Sequence, residues 1–217
     1  MQVVVVEINA NPFINAEIAA SYETWYQTIG RRADLQEKAL LKWLLSGFPR
    51  ARKILEVGCG TGHFTRWFDE QGLLTIGLDL CRPMLDEAVS LSSSIYLQGD
   101  ALALPFLSNS FDLVAQITTL EFLPDPFQAL DEALRVARQG VILGVLNADS
   151  RLGRENKLAG GPIWEVARFF TPDELMHMIR KVVGEKVRIA WRTTLWPFWP
   201  GALPLPWGGF IGVAVKI

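Results

Sequence analysis

ILEVGCGTGHF, residues 54–64, is the stretch on which the fold turns. A short apolar run ends at Val57, and glycine then occupies positions 58, 60 and 62. Gly58, Gly60 and Gly62 let the chain swing sharply from strand into helix. They also let a ligand meet backbone where any other residue would present a Cβ. The helix behind such a turn begins with N–H groups that lack intrahelical partners. IGLDL at 76–80 ends a second apolar run on a carboxylate, Asp79, placed to accept hydrogen bonds from ribose hydroxyls. Dinucleotide sites space their glycines GxGxxG, which fits a pyrophosphate to the helix N-terminus. Here the spacing is GxGxG, and Glu56 stands two residues before Gly58. A carboxylate is poor company for pyrophosphate but suits an ammonium group or a bridging water. An NAD(P)-dependent oxidoreductase is the disfavoured alternative on these grounds.

Outward from this stretch, helical and strand periods alternate. Apolar residues at helical spacing over 17–29 and 33–46, broken by Gly30, predict an N-terminal helical cap spanning 1–50. Strands are predicted at 53–57, 73–78, 95–98, 111–117 and 141–146, and helices over 61–71, from Pro83, and over 125–138. VILGVL at 141–146 is an unbroken apolar run, as a strand covered on both faces requires. A polar loop is expected over 147–161. TPDEL then starts a helix, with Thr171 as N-cap and Glu174 in the capping-box position. Strands at 186–195 and 210–217 close the chain without a helix between them, which predicts an antiparallel pair at one sheet edge. The fold class is α/β: a Rossmann-like, doubly wound, mostly parallel seven-stranded sheet over 51–217. Ligands in such sheets bind outside the carboxyl ends of the strands, where the strand order reverses.

Composition narrows the partners. Of the 217 residues half are hydrophobic, enough for a sizeable core, and the formal net charge is −2. A phosphate-binding face shows as a basic excess, so nucleic acid is not expected as a partner. Arg31, Arg32 and the Arg50/Arg52/Lys53 group read as solvated helix ends. The two cysteines, Cys59 and Cys81, and two histidines give neither a disulfide framework nor a metal site, and reduced thiols point to a cytoplasmic protein. The opening MQVVVVEINANPF lacks a basic leader and does not read as a secretory signal. Residues 193–215 carry no charge, yet Pro197, Pro200, Pro204 and Pro206 would break a lone spanning helix repeatedly. Surface contact with a membrane stays open, stable insertion is not expected, and the oligomeric state is undetermined by sequence.

Two further positions bear on the ligand. Asp100, in QGDALALPF after the third strand, can read an exocyclic amine and ring nitrogen of adenine, or form an Asx turn. Met84 can pack on a base face or serve as an ordinary core methionine. Taken together, LEVGCGTGHF, GLDLCRPML, QGDALALPF and FDLVAQITTLEFLPDPFQALDEALRV resemble the class I S-adenosylmethionine-dependent methyltransferases, of the small-molecule group that includes quinone-biosynthesis enzymes. The resemblance covers roughly residues 21–217 and implies S-adenosylmethionine as cofactor. It implies Glu56, Gly58 and Gly60 around the methionine moiety, Asp79 and Leu80 at the ribose, and Asp100 and Ala101 at adenine. Ile117 and Thr118 match the position that closes over the sulfonium. YETWY at 22–26, with Tyr22 and Tyr26, resembles the aromatic helix that covers the cofactor in these proteins.

The sequence also departs from the family pattern. Glu121 stands where many relatives have a histidine. RQG at 138–140 replaces the usual Pro-Gly-Gly before strand five, which should affect the turn there. No NPPY-like tetrapeptide follows strand four, which argues against base amino groups of nucleic acid as acceptors. Methyl transfer from sulfonium needs mainly alignment and a dry site, and a general base only for a protonated acceptor. Candidate bases are Glu121, Tyr26 and His63, none indispensable on sequence grounds; His177 reads as packing or surface. The Trp- and Pro-rich insert at 196–210, with Trp196, Phe198, Trp199, Trp207 and Phe210, is a candidate wall for a small apolar acceptor, or a cover for the sheet edge. Residues 147–170, with glycines at 153, 160 and 161, form a candidate lid. A non-catalytic S-adenosylmethionine-binding sensor or partner subunit is the alternative.

Overall fold

The apolar run before the glycine turn forms β1 (Lys53–Val57), whose side chains alternate between two layers. Leu55 and Val57 pack into one core cluster, and Ile54 into the other. The computed structural model describes residues 11–197 and 199–217; the first ten residues, with the leader reading and the start of the cap, and Phe198 lie outside the described residues. β1 pairs in parallel with β2 (Leu74–Asp79) and with β4 (Phe111–Ile117). β3 (Ile95–Gln98) lies beyond β2, and β5 (Ala137–Leu146) beyond β4. With β6 (Arg188–Thr194) and β7 (Phe210–Lys216), the sheet has seven strands in the order β3-β2-β1-β4-β5-β7-β6. β7 runs antiparallel to both of its neighbours, giving the expected antiparallel pair at that edge. The order reverses between β1 and β4, so the glycine turn and the turn after Ile117 flank the switch point.

Helices cover both faces. α2 (Arg31–Leu45) and α3 (His63–Glu70) bury Leu40, Leu41, Leu44, Phe64 and Phe68 against Ile54, Leu113, Ile142 and Phe210. α5 (Pro126–Val136) and α7 (Pro172–Val183) bury Leu130, Ala133, Leu175 and Ile179 against Leu55, Val114, Val141 and Ile211. Each such buried leucine or isoleucine contributes about 1.5–3 kcal/mol by leaving water. The Thr171–Glu174 capping box that starts α7 is present in both directions. α4 (Arg82–Leu91) carries Met84 and packs on α1 (Ala16–Gln27), which lies over the carboxyl end of the sheet.

Two local expectations fail. The polar loop over 147–161 contains α6 (Arg151–Ala159), because Ser150 accepts from the Gly153 N–H as an N-cap and Arg151 pairs with Glu155 one turn on. The RQG segment lies within β5 instead of forming a turn. α5 passes straight into the strand at Ala137, and Arg138 and Gln139 both donate to Asp112 at the start of β4. Among the described residues no helix is long and apolar enough to cross a membrane.

Candidate active site

The glycine turn takes the backbone angles its residues permit. Gly58 has φ +74°, and a Cβ there would fall 2.3 Å from Thr119 Cγ2. Gly60 has φ +53°, but a Cβ there would meet nothing within 4 Å. The first glycine is therefore demanded by packing, and the second leaves bare backbone facing open space. Asp79 ties this turn to the next loop: Oδ2 accepts from Gly60 N–H and Oδ1 from Cys81 N–H, both at 2.8 Å. Burial raises the Asp79 pKa, and those two donors oppose the rise. Each carboxylate oxygen keeps a lone pair for a ligand hydroxyl.

A crevice opens beside Gly60. It is lined by Glu56, Gly58, Gly60, Asp79, Met84, Ile117 and Thr118 from the sheet edge, and by Phe13, Tyr22 and Tyr26 from above. Thr118, at φ +52°, donates its N–H to Gly144 and turns the chain away from β4. Glu56 is 1% exposed and accepts from Thr65 Oγ1; burial pushes its carboxyl up to about 8. The open volume is about 50 Å³, whereas small-molecule sites usually enclose roughly 300–1,000 Å³. Phe13 and Tyr22 meet edge to face across the mouth, so a nucleoside-sized ligand requires that pair to move.

The remaining sequence candidates divide. Leu80 is more than half exposed and Asp100 exposed; neither lines the crevice. Asp100 accepts from Leu102 N–H in an Asx turn, and Ala101 is buried in the core. His63 reaches the crevice but is clamped: its ring stacks on Tyr26 at 3.7 Å, Nε2 lies 2.6 Å from Asp34 and Nδ1 3.7 Å from Glu23. Burial lowers its pKa, the two carboxylates outweigh that, and the net shift is upward. His63 thus ties α3 to Glu23 on α1 and Asp34 on α2, and both its ring nitrogens face carboxylates instead of the crevice. Glu121 is 1% exposed; Oε1 accepts from Leu146 N–H at 2.6 Å, and Oε2 has no partner among the described residues. Burial lifts it to about 8. His177 is exposed.

A second cavity of about 790 Å³ adjoins at the carboxyl ends of β5 and β6. Trp25, Trp164, Trp196 and Trp207 stand in its wall, with Leu146 and Leu195. Sequence reasoning picked out Trp196 and Trp207 but missed Trp25, Trp164 and Glu37, which also line it. No local spacing marks those residues; only α1, α2 and the segment after α6 meeting over the sheet brings them together. The two spaces meet at α1, where Trp25 in the cavity wall packs edge to face on Tyr26 in the crevice wall, ring centroids 5.0 Å apart. Burial drives the Tyr22 phenol, on the crevice side, up to about 12.

At the switch point of a Rossmann-like sheet, the crevice thus brings together bare glycine backbone and the Asp79 carboxylate. Residues 55–145 match the family described as a methyltransferase domain. The chain is 28% identical over 175 residues to an uncharacterised protein of Methanocaldococcus jannaschii, covering 78% of this chain and 80% of that one. It is 36% identical over 104 residues to the malonyl-[acyl-carrier protein] O-methyltransferase of Erwinia billingiae, covering 46% of this chain and only 41% of that enzyme. The crystal structure of an S-adenosylmethionine-dependent methyltransferase of Thermotoga maritima, described as a possible histamine N-methyltransferase, superposes with a TM-score of 0.77 at 29% identity. That superposition covers 94% of this chain and 97% of that one. Residues 55–145 carry a methyltransferase domain on the class I fold, and these matches support S-adenosylmethionine as its cofactor. The residues present fit that group: the backbone at Gly60 faces open space that a Cβ would fill, Asp79 keeps lone pairs that ribose hydroxyls can reach, and Glu56 lines the same crevice.

Proposed function

We propose that the chain methylates a small molecule with an apolar or aromatic body, held in the tryptophan-walled cavity beside the cofactor crevice. The cofactor supplies a methyl group on a positively charged sulfur that is already a good leaving group. The protein's part is to orient the acceptor and exclude water, and alignment alone can supply on the order of 7–11 kcal/mol. Asp79, Gly60 and Glu56 hold the donor; Ile117 and Thr118 close its reactive end; Trp25, Trp164, Trp196 and Trp207 hold the acceptor. Glu121 and Tyr26 remain the base candidates, and His63 is assigned to holding the cap.

The observation that carries this reading is the contact between the two walls, where Trp25 of the cavity packs edge to face on Tyr26 of the crevice. Two spaces parted by one pair of rings suit a transfer between two bound molecules. The relatives' descriptions differ widely, a malonyl-[acyl-carrier protein] O-methyltransferase in one and a possible histamine N-methyltransferase in another, so the cavity wall is the better guide to this acceptor. Incubation with S-adenosylmethionine labelled in its methyl group and a metabolite extract should label a small product. Cofactor binding without any labelled product would favour the sensor alternative.

A further inference from the structure

The tryptophan-walled cavity contains one ionisable group that neither the core nor the cofactor crevice uses. Glu37, on α2, is 6% exposed and lines the cavity. Among the described residues its carboxylate has no hydrogen-bond partner. Asp34, one turn earlier, is held by both His63 and Lys38. The Glu37 oxygens, unlike the fully buried Glu121 Oε2, stay accessible at the edge of the cavity, so a ligand there can reach them. A nearly buried acid with no partner of its own gains from a ligand that supplies one. The positive groups in the same wall are already engaged and exposed: Arg32 donates to the Trp196 and Pro197 carbonyls, Arg151 pairs with Glu155, and Arg154 donates to the Asp149 carbonyl. Among the described residues of this wall Glu37 is the one buried ionisable group, set among the tryptophans, while the three guanidinium groups lie at the exposed rim with their hydrogen bonds directed to protein acceptors.

We propose that this cavity selects a cationic acceptor, a small molecule with an aromatic or apolar body and a protonated amine, its ammonium seated against Glu37 and its body among the tryptophans. The proposal rests on the methyl-transfer reading above. Indole faces attract cations, and a buried carboxylate supplies the matching charge. Burial pushes the Glu37 carboxyl up to about 7, helped by Asp34 and opposed by His63 and Lys38. Tyr22, Tyr26 and Glu121 are the other titratable groups coupled to it. An arriving ammonium draws Glu37 into its ionised form, whereas a carboxylate ligand would meet like charge there. The ammonium has no lone pair and serves as the recognition group; the methyl goes to a separate nucleophilic atom of the acceptor, which gives up its own proton as the C–S bond breaks.

The test is calorimetric titration of 2-phenylethylamine, 2-phenylethanol and 3-phenylpropanoate into the chain saturated with S-adenosylhomocysteine. The amine should bind roughly tenfold more tightly than the alcohol, with the acid weakest. Glu37→Gln should erase that preference and leave S-adenosylhomocysteine affinity unchanged. The alcohol or the acid binding as well as the amine, an amine that does not bind, or a preference that survives Glu37→Gln would each overturn the proposal. The wild-type ranking decides the matter even if the variant folds poorly. Failure of S-adenosylhomocysteine to bind would count against the methyl-transfer reading instead, and the amine ranking would then be read without it.

Discussion

The two cavities at the carboxyl edge of the sheet are assembled in opposite ways. The cofactor crevice is built mostly from short loops that follow β1, β2 and β4, and its central residues, Glu56 to Gly60 and Asp79, belong to two adjacent strand ends. The tryptophan-walled cavity, the proposed acceptor site, gathers Trp25, Glu37, Leu146, Trp164, Leu195 and Trp207 from segments spread across the chain. The first is held by backbone hydrogen bonds and glycine geometry, the second by side chains that the topology happens to bring within reach. A site for a fixed ligand can be written into one local turn. A site whose ligand varies among relatives is formed from surfaces that can change one residue at a time.

If that contrast holds, the largest effect on folding should come from the crevice. Gly58→Ala forces a Cβ into a left-handed backbone position, costing about 1–2 kcal/mol, and into Thr119 at 2.3 Å, costing about 1–3 kcal/mol more. The urea midpoint should fall accordingly, and cofactor binding should be lost with it. Gly60→Ala meets open space, so it should carry only the backbone cost and instead weaken the cofactor by intruding on its cradle. Equal destabilisation by the two variants would mean that the turn is not divided as described.

The same division explains what the sequence revealed. β1, β3 and β4 were legible to the residue, because short apolar runs with glycine or proline punctuation leave few registers. The GxGxG turn was legible because its backbone angles need glycine, and Asp79 because its carboxylate ties the Gly60 and Cys81 N–H groups together. α6 was not, since RLGRENKLA is polar on most of its surface and its signals, the Ser150 cap and the Arg151–Glu155 pair, are modest ones. Glu37 and Trp25 were illegible as site residues. On their own helices they read as one more charge and one more apolar position, and only the packing of α1 and α2 over the sheet gives them a cavity. Asp100 shows the converse: the motif drew attention to it, and its carboxylate is engaged in its own turn.

A pH series sharpens the comparison because acids are buried in both regions. Glu56 and Glu121 rise to about 8 and Glu37 to about 7, all through burial first. The folded chain keeps these protons where the unfolded chain, with carboxyls near 4.5, has released them. Stability should therefore fall as pH rises from about 5 and level off above about 8. Glu56→Gln and Glu37→Gln should each flatten part of that slope. Glu23 acts in the opposite sense: burial would raise it, but His63, Thr61 and Arg66 bring it down to about 2. Its contribution is complete above pH ~4.5 and is lost as pH drops through ~2. Urea midpoints across this range that rise towards pH 8 would contradict the placement of the buried acids.

Asp79→Asn tests the crevice alone. Losing a charged acceptor for ribose hydroxyls should cost about 1.5–3 kcal/mol, or roughly 10- to 150-fold in cofactor affinity. The same change turns one acceptor of a backbone N–H into a donor, so some loss of stability should accompany it. Affinity of the acceptor cavity for an aromatic probe should not move.

The smallest effect on the fold should come from the far side of the comparison. Trp207 is 61% exposed and lines the acceptor cavity without entering a core cluster. Removing its ring takes little apolar area out of the interior, so Trp207→Ala should change stability by no more than about 0.5 kcal/mol. The ring's value lies in what it offers a ligand: a broad apolar face held at small entropic cost, worth on the order of 0.5–1.5 kcal/mol against an aromatic partner. Binding of an aromatic probe should weaken by roughly 2- to 12-fold, with S-adenosylhomocysteine affinity unaltered. Calorimetry on the same preparation measures both. If the variant loses cofactor affinity in proportion, the two cavities respond as one body, and the division between a local site and an assembled one does not describe this protein.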